Sequence, residues 1–336
     1  MQEITIPANY DPKMGIRETE VAIKLIKDTF ERKLSRHLNL TRVSAPLFVD
    51  PATGLNDNLN GYERPVSFGI REQNDAVCEI VHSLAKWKRL ALKRYGFTAG
   101  EGLYTDMNAI RRDEDTDNLH SLYVDQWDWE RIIEESERNL DTLKTIVKKI
   151  YAALKETEAR VYEAYPAFPP FLPQDIAFVT TGELLERYPE LTPKQRERAV
   201  TREHGAVFLM QIGGALKSGK PHDGRAPDYD DWSLNGDILI DYPLLDTAME
   251  ISSMGIRVNA ESLRKQLDIA GCMERAELPF QKALLRGELP CTIGGGLGQS
   301  RICMLFLRRA HIGEVQSSVW PPEMIELCGK NNIHLL

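Results

Sequence analysis

The chain has 336 residues, 27% of them charged and 42% hydrophobic, a balance that excludes a disordered polymer and allows a large core without disulfide or metal staples. Fifty acidic against 42 basic residues give a net charge of -8, which argues against a protein that grips nucleic acid through a broad basic face and favours small-molecule chemistry. The cysteines Cys78, Cys272, Cys291, Cys303 and Cys328 form no CxxC pair, and neither a secretory leader nor a run of ~18 apolar residues is visible, so free thiols in a cytoplasmic protein without a membrane span are expected.

No repeat or linker divides the chain, and a single domain over 1–336 is expected. Ile23, Ile26, Phe30, Leu34 and Leu38 recur at steps of three and four, which predicts a long amphipathic helix between Ile16 and Leu40. Pro46 closes that segment, and Leu47 to Val49 reads as a short strand. A strand over Val77 to Val81 runs into a helix carrying Leu84, Trp87, Ala91 and Tyr95. Leu103 to Arg111 and Ser121 to Trp129 read as an antiparallel hairpin around a charged loop. Leu140, Leu143, Val147, Ile150 and Leu154 mark a second long helix, which prolines from Pro166 to Pro173 terminate. Strands are predicted at Ile176 to Val179, Ala206 to Ile212, Asp237 to Ile240 and Glu250 to Val258, and a helix over Ser300 to Leu307. Strands are too many for βαβ alternation, and neither GxGxxG nor GxxxxGK[ST] occurs, so the expected class is α+β with an antiparallel sheet flanked by helices.

Three groups of residues can carry chemistry. Gly294 to Ser300 with Arg301 precedes an apolar helix, and glycines there let a ligand approach the backbone beside a fixed cation; a nucleotide site and a tight packing turn are both compatible with it. Alternation along Tyr123 to Glu130 places Gln126, Asp128 and Glu130 on one face, opposite Asp125, Trp127 and Trp129. A sheet buried on its indole side and lining a polar cleft on the other accounts for both faces, as a merely exposed face would for the acids alone. Asp237 and Glu250, near the ends of two strands, offer hard oxygen ligands of the kind Mg²⁺ needs when it is shared with phosphates. Asp228, Asp230 and Asp231 upstream add further hard oxygens to that set, with a solvated acidic loop as the plainer reading of the stretch Tyr229 to Trp232; Arg257 reads as a cation for an anionic substrate or an ordinary ion pair, and Lys88 and Arg89 as ordinary exposed helix cations.

In order, these segments resemble the catalytic core of class II aminoacyl-tRNA synthetases, most closely the aspartyl branch. The helix, strand and proline around Pro46 are similar to its dimer-forming first motif, Arg111 to Glu130 to its second, and Gly294 to Arg301 to its third. Leu55 to Gly61, His82 to Arg89, Gly100 to Thr105, Val124 to Glu130, Arg225 to Trp232 and Ser252 to Arg257 narrow the likeness to the ammonia-dependent asparagine synthetases, the aspartate–ammonia ligases. That resemblance runs from about Ile16 to Trp320 and includes no anticodon-binding domain. A shorter connection between Trp232 and Leu234 is the one departure, and it concerns that loop alone.

The resemblance implies a class II synthetase-like fold and a reaction in which ATP adenylates the β-carboxylate of L-aspartate and ammonia then displaces AMP. It assigns Arg111 to the α-phosphate, Arg301 to the γ-phosphate, and Gly296, Gly298 and Asp230 to ATP contacts. Asp237 and Glu250 would hold Mg²⁺. Asp57, Arg111 and Gln126 would be catalytic; Lys88 and Arg257 would clamp a substrate carboxylate, with Ser83, Asp128 and Ser253 as further substrate contacts. A homodimer is implied by the first motif, with no nucleic-acid or membrane partner. Two alternatives stay open: a synthetase paralogue that activates aspartate for another acceptor, and a non-catalytic synthetase-like subunit, although Arg111, Glu250 and Arg301 are all retained.

Overall fold

The computed structural model describes residues 4–59 and 61–336; Asn60, within the Leu55 to Gly61 segment, lies outside them. Helix α1 (Ile16–Leu38) leads to β1 (Leu40–Arg42) and to a small antiparallel sheet of β2 (Phe48–Val49), β3 (Ser67–Ile70) and β4 (Ala76–Ile80). Then follow α2 (Ala85–Arg94), the hairpin β5 (Gly102–Ile110) and β6 (Tyr123–Ile132), and α3 (Leu140–Ala164). The second half contributes β7 (Ala177–Thr180), α4 (Thr181–Arg187), α5 (Pro193–His204), β8 (Ala206–Met210), β9 (Asp230–Tyr242) and β10 (Thr247–Arg257). It ends with α6 (Ala260–Ile269), α7 (Pro279–Leu285), β11 (Thr292–Gly298), α8 (Gln299–Phe306) and α9 (Pro322–Lys330).

Eight strands form the main sheet in the order β1-β5-β6-β11-β10-β9-β8-β7. Its six central strands pair antiparallel as expected, but both outer pairs, β1 with β5 and β7 with β8, are parallel. The sheet is therefore mixed. Apolar stripes of α1 and α3 cover one face: Ile26, Phe30, Leu34, Val147, Ile150 and Leu154 share a core with Trp127 and Trp129, and the Phe30 ring lies 4.9 Å from that of Trp127. Burying the indole side leaves Gln126, Asp128 and Glu130 of β6 on the opposite face, as the alternation requires.

Three segments differ from their sequence reading. Gly294 to Gly298 is not a turn but strand β11, with no positive φ, and α8 starts directly after it. Trp232 to Leu234 is no loop but the interior of β9, which begins at Asp230 because Asp230 pairs with Arg257 across the ladder. The acidic residues before it are not solvated: Asp228, Asp230 and Asp231 are buried, and they meet Lys86, Arg257 and Arg138.

Candidate active site

The polar face of the sheet opens into a cleft of about 420 Å³. Of the residues to which the resemblance gives a catalytic, substrate, ATP or metal role, all but Asp237 line it, although they come from chain segments nearly 250 residues apart; Glu130, Asp228, Asp231 and Arg89, also picked out from the sequence, do not line it. The glycines of β11 explain how polar side chains fit there. A Cβ on Gly294 would overlap the Glu130 carboxylate and approach Arg257, and one on Gly296 would overlap Gln126 and come within 2.8 Å of Asp128. Bare backbone in β11 thus makes room for the side chains of β6.

One end of the cleft is a buried charge network. Arg257 directs Nε at both oxygens of Glu130 (3.0 and 3.1 Å) and Nη2 at Oε2 (2.7 Å), while Nη1 meets Asp230. Burial opposes the guanidinium charge, but Asp230 and Glu130 outweigh it and raise the pKa of Arg257. The two acids respond in opposite directions. Burial raises Asp230, whereas in Glu130 the same penalty is overcome by Arg257, Lys88 and a hydrogen bond from Thr292. Lys88 donates to the Gly295 carbonyl (3.0 Å) and lies 3.4 Å from Asp128. Its pKa is lowered, with desolvation the largest cause. Contrary to the expectation of exposed helix cations, Lys86, Lys88 and Arg89 are all buried, and Arg89 donates to the carbonyls of Val258 and Pro290. Asp128 accepts the Leu84 N–H at 3.2 Å, and the Ser83 hydroxyl beside it also faces the cleft.

The other end is rich in cations. Arg111 follows β5, its backbone N–H donating to Leu122; its side chain lies 3.8 Å from Glu114, and its buried Nε has no partner among the described residues. Arg301, in the first turn of α8, donates to the Glu250 carbonyl at 3.0 Å. A bulge in β10 sets Glu250 opposite Leu239 and Ser252 opposite Ile238. It also reverses the alternation, so that core positions run Met249 and Ile251 before it and Met254 and Ile256 after it. Glu250 and Ser253, three residues apart, therefore both line the cleft. Asp237 lies behind them, opposite Ser253 in the ladder, with Arg225 on Oδ2 and with Oδ1 buried and unpartnered among the described residues. Burial together with Glu250 pushes the Asp237 carboxyl up to about 7 against the pull of Arg225. Burial also opposes ionisation of Glu250, but Arg301, Arg225 and Lys194 hold its pKa down.

Asp57 closes the cleft from the loop before β3. It is buried, and its Oδ1 accepts the Leu59 N–H at 2.9 Å. The structure also brings to the cleft residues that carried no role in the sequence reading: His82, His120, Lys194, Tyr229, Ser252 and Gln316. His82 and Tyr229 fall inside segments that already stood out, but nothing near Lys194, at the start of α5, ties it to motifs placed elsewhere in the chain.

A family model described as aspartate-ammonia ligase matches residues 17–332. A protein named aspartate–ammonia ligase from Clostridium perfringens is 63% identical over 336 residues, covering all of both chains. One of the same name from Pediococcus pentosaceus is 60% identical over 334 residues, covering 99% of this chain and all of its own. Among solved structures, asparaginyl-tRNA synthetase from Pyrococcus horikoshii complexed with asparaginyl-adenylate superposes with a TM-score of 0.67 at 16% identity, over 92% of this chain and 72% of that one. The Entamoeba histolytica enzyme in complex with asparaginyl-adenylate gives 0.63 at 14% identity, over 90% and 66%. At such identities the structural likeness shows the fold, that of the class II synthetases.

Proposed function

The chain belongs to the aspartate–ammonia ligase family, and from that premise we propose how its cleft makes L-asparagine from L-aspartate, ammonia and ATP. Oxide is too poor a leaving group for ammonia to displace, so the β-carboxylate is first activated. A β-carboxylate oxygen attacks the α-phosphorus of ATP and pyrophosphate leaves; ammonia then attacks the acyl carbon of the β-aspartyl-adenylate and AMP leaves. Both steps concentrate negative charge, and cations fixed in advance stabilise it without reorganising. Arg111 serves the α-phosphate and Arg301 the γ-phosphate, with Gly296 and Gly298 giving the nucleotide access to the backbone.

Mg²⁺ fits Glu250 and Asp237. Asp237 keeps one carboxylate oxygen with no partner among the described residues, and Mg²⁺ is commonly held by one or two carboxylates plus substrate phosphates. When bound, it would neutralise phosphate charge and so ease departure of pyrophosphate.

Lys88 and Arg257 hold the α-carboxylate away from the phosphate, with Ser83, Asp128 and Ser253 completing the aspartate contacts. Asp230 reaches the substrates through Arg257, its ion-pair partner. Gln126 donates to the acyl oxygen without adding charge. Asp57 binds ammonium and accepts the proton that the nitrogen sheds, a task suited to a carboxylate facing a donor whose pKa is roughly nine. Free cysteines support a cytoplasmic setting, and the first-motif resemblance supports a homodimer.

The observation that carries this reading is the convergence on one cleft of Asp57, Lys88, Arg111, Gln126, Glu250 and Arg301. Its test follows ATP consumption with L-aspartate and Mg²⁺, with and without ammonium chloride. Asparagine, AMP and pyrophosphate in equal amounts, only when ammonium is present, is the expected result. Aspartate-dependent ATP–pyrophosphate exchange with no asparagine would instead make the chain an activating enzyme for another acceptor.

A further inference from the structure

His82 follows β4 and lines the cleft beside Asp57 and Ser83, with only 1% of its surface exposed. Its Nδ1 lies 3.1 Å from the main-chain oxygen of Asp57. A carbonyl oxygen only accepts, so Nδ1 carries a proton, and in that tautomer of the imidazole Nε2 is the acceptor. That Nε2 is buried and has no partner among the described residues. An orphaned acceptor of this kind is costly in a folded protein, and a ring needed only for packing could have been apolar.

His82 and Asp57 are also locked together. The Asn56 side-chain oxygen accepts the backbone N–H of Asp57 and that of His82, each at 2.9 Å, and its amide nitrogen donates to Glu79 Oε2 at 2.9 Å. One asparagine thus fixes the loop that carries Asp57 against the segment that carries His82. The ring and the loop that carries Asp57 therefore keep a fixed relation where they line the cleft.

From the ligase reading above, on which this inference rests, we propose that His82 Nε2 accepts a hydrogen bond from ammonia and seats it beside Asp57. The chemistry of the reactants narrows the choice. ATP phosphates and aspartate carboxylates only accept hydrogen bonds and cannot satisfy Nε2; the donors left at the reacting end are ammonia and aspartate's own α-ammonium, and the two are separated by the kinetics below. Ammonia is a small donor with several N–H groups, and acceptors on two residues that line the same cleft can orient it with its lone pair free to attack.

Two substitutions separate the ring nitrogens. In His82→Asn the amide nitrogen can take the place of Nδ1 and keep the contact to Asp57 while Nε2 is lost; in His82→Gln the amide reaches the position of Nε2. Steady-state kinetics in ammonium and in aspartate, with aspartate-dependent ATP–pyrophosphate exchange as the ammonia-free half reaction, give the readout. For His82→Asn the KM for ammonium is expected to rise about tenfold, the effect of one lost hydrogen bond, with exchange and the aspartate KM within about twofold of the parent. His82→Gln is expected to recover most of the ammonium KM. An unchanged ammonium KM in His82→Asn overturns the proposal. So does a matching rise in the aspartate KM, which would place aspartate's own ammonium there, or loss of exchange in both variants, which would make the role structural. Failure of the unsubstituted chain to form asparagine would strike the ligase reading itself and is seen before either variant is made.

Discussion

At the scale of single residues, the cleft separates two tasks that share one substrate. In the proposed reaction Gln126 and Asp57 serve different groups, and their variants should fail differently. Gln126→Ala removes a neutral donor from the acyl oxygen and is expected to lower kcat by about 10² to 10³, the usual cost of one such donor, with exchange and asparagine formation both reduced. Asp57→Asn is expected to spare aspartate-dependent ATP–pyrophosphate exchange and to depress asparagine formation by at least about tenfold, because only the second step needs the ammonium-binding base. Measuring the two half reactions side by side checks both, and equal loss of exchange in the Asp57 variant would remove Asp57 from the ammonia step. Which residues were legible follows from the same chemistry. The polar face of β6 could be read from alternation alone, since two indoles at steps of two leave the intervening positions for the other side. The burial of Lys86, Lys88 and Arg89 could not be read, because their partners Asp228, Asp128, Gly295 and Val258 lie 40 to more than 200 positions away.

At the scale of elements, long helices with an apolar stripe were transparent. The α1 spacing places Ile26, Phe30 and Leu34 in the core with no surface exposed, and Leu34→Ala is expected to cost 2 to 5 kcal/mol of stability, seen as a lower denaturation midpoint with the KM values of the folded protein unchanged. Strand β11 was opaque. Glycine weakens a strand locally, so four glycines in seven residues argue against one unless the partners on both sides are known. The β10 bulge was hidden for the same reason, as only the β9 ladder defines it. A further buried group lies in the short 3-10 turn Ile312–Glu314, where His311 accepts the Gly313 N–H at 3.0 Å and packs edge-on to Trp320. Desolvation lowers its pKa from 6.5 to about 4. A histidine whose folded pKa lies below its unfolded value is harder to protonate when folded, so it takes nothing from stability above pH 6.5 and its cost grows as pH falls from 6.5 towards about 4, where it levels off. The full effect is at most on the order of 3 kcal/mol. His311→Asn, which can keep the acceptor for Gly313, should show a shallower loss of thermal stability across that window, and parallel curves for the two proteins would exclude the histidine as a source of acid sensitivity.

At the scale of the whole molecule, the sheet sorts its burdens by face: one face is sealed by α1 and α3, and the other holds the cleft. Apolar side chains stay exposed on the segment that resembles the first synthetase motif, with Ile16 at 50% and Val21 at 59% on α1, and Leu47 at 49% and Phe48 at 43% around β2. Phe68 and Val77, on the neighbouring strands of the same small sheet, extend this surface, and the Phe48 and Phe68 rings meet edge to face at 5.0 Å. Large apolar groups exposed together on the small sheet are what a subunit contact would cover, and the proposed homodimer uses them. Light scattering should therefore return twice the mass of one chain. Phe48→Glu would place a carboxylate in that contact, where it must be desolvated without a cation supplied for it, and is expected to shift the protein towards monomer at micromolar concentration with its circular dichroism preserved. Since Val49 pairs with Glu79 and Asn56 joins Glu79 to Asp57 and His82, the surface and the ammonia end of the cleft are mechanically continuous. Dissociation should then raise the KM for ammonium more than that for ATP, whose proposed arginines follow β5 and stand on α8. A monomeric parent, or a Phe48→Glu variant that remains dimeric, would place the subunit contact elsewhere or abolish it.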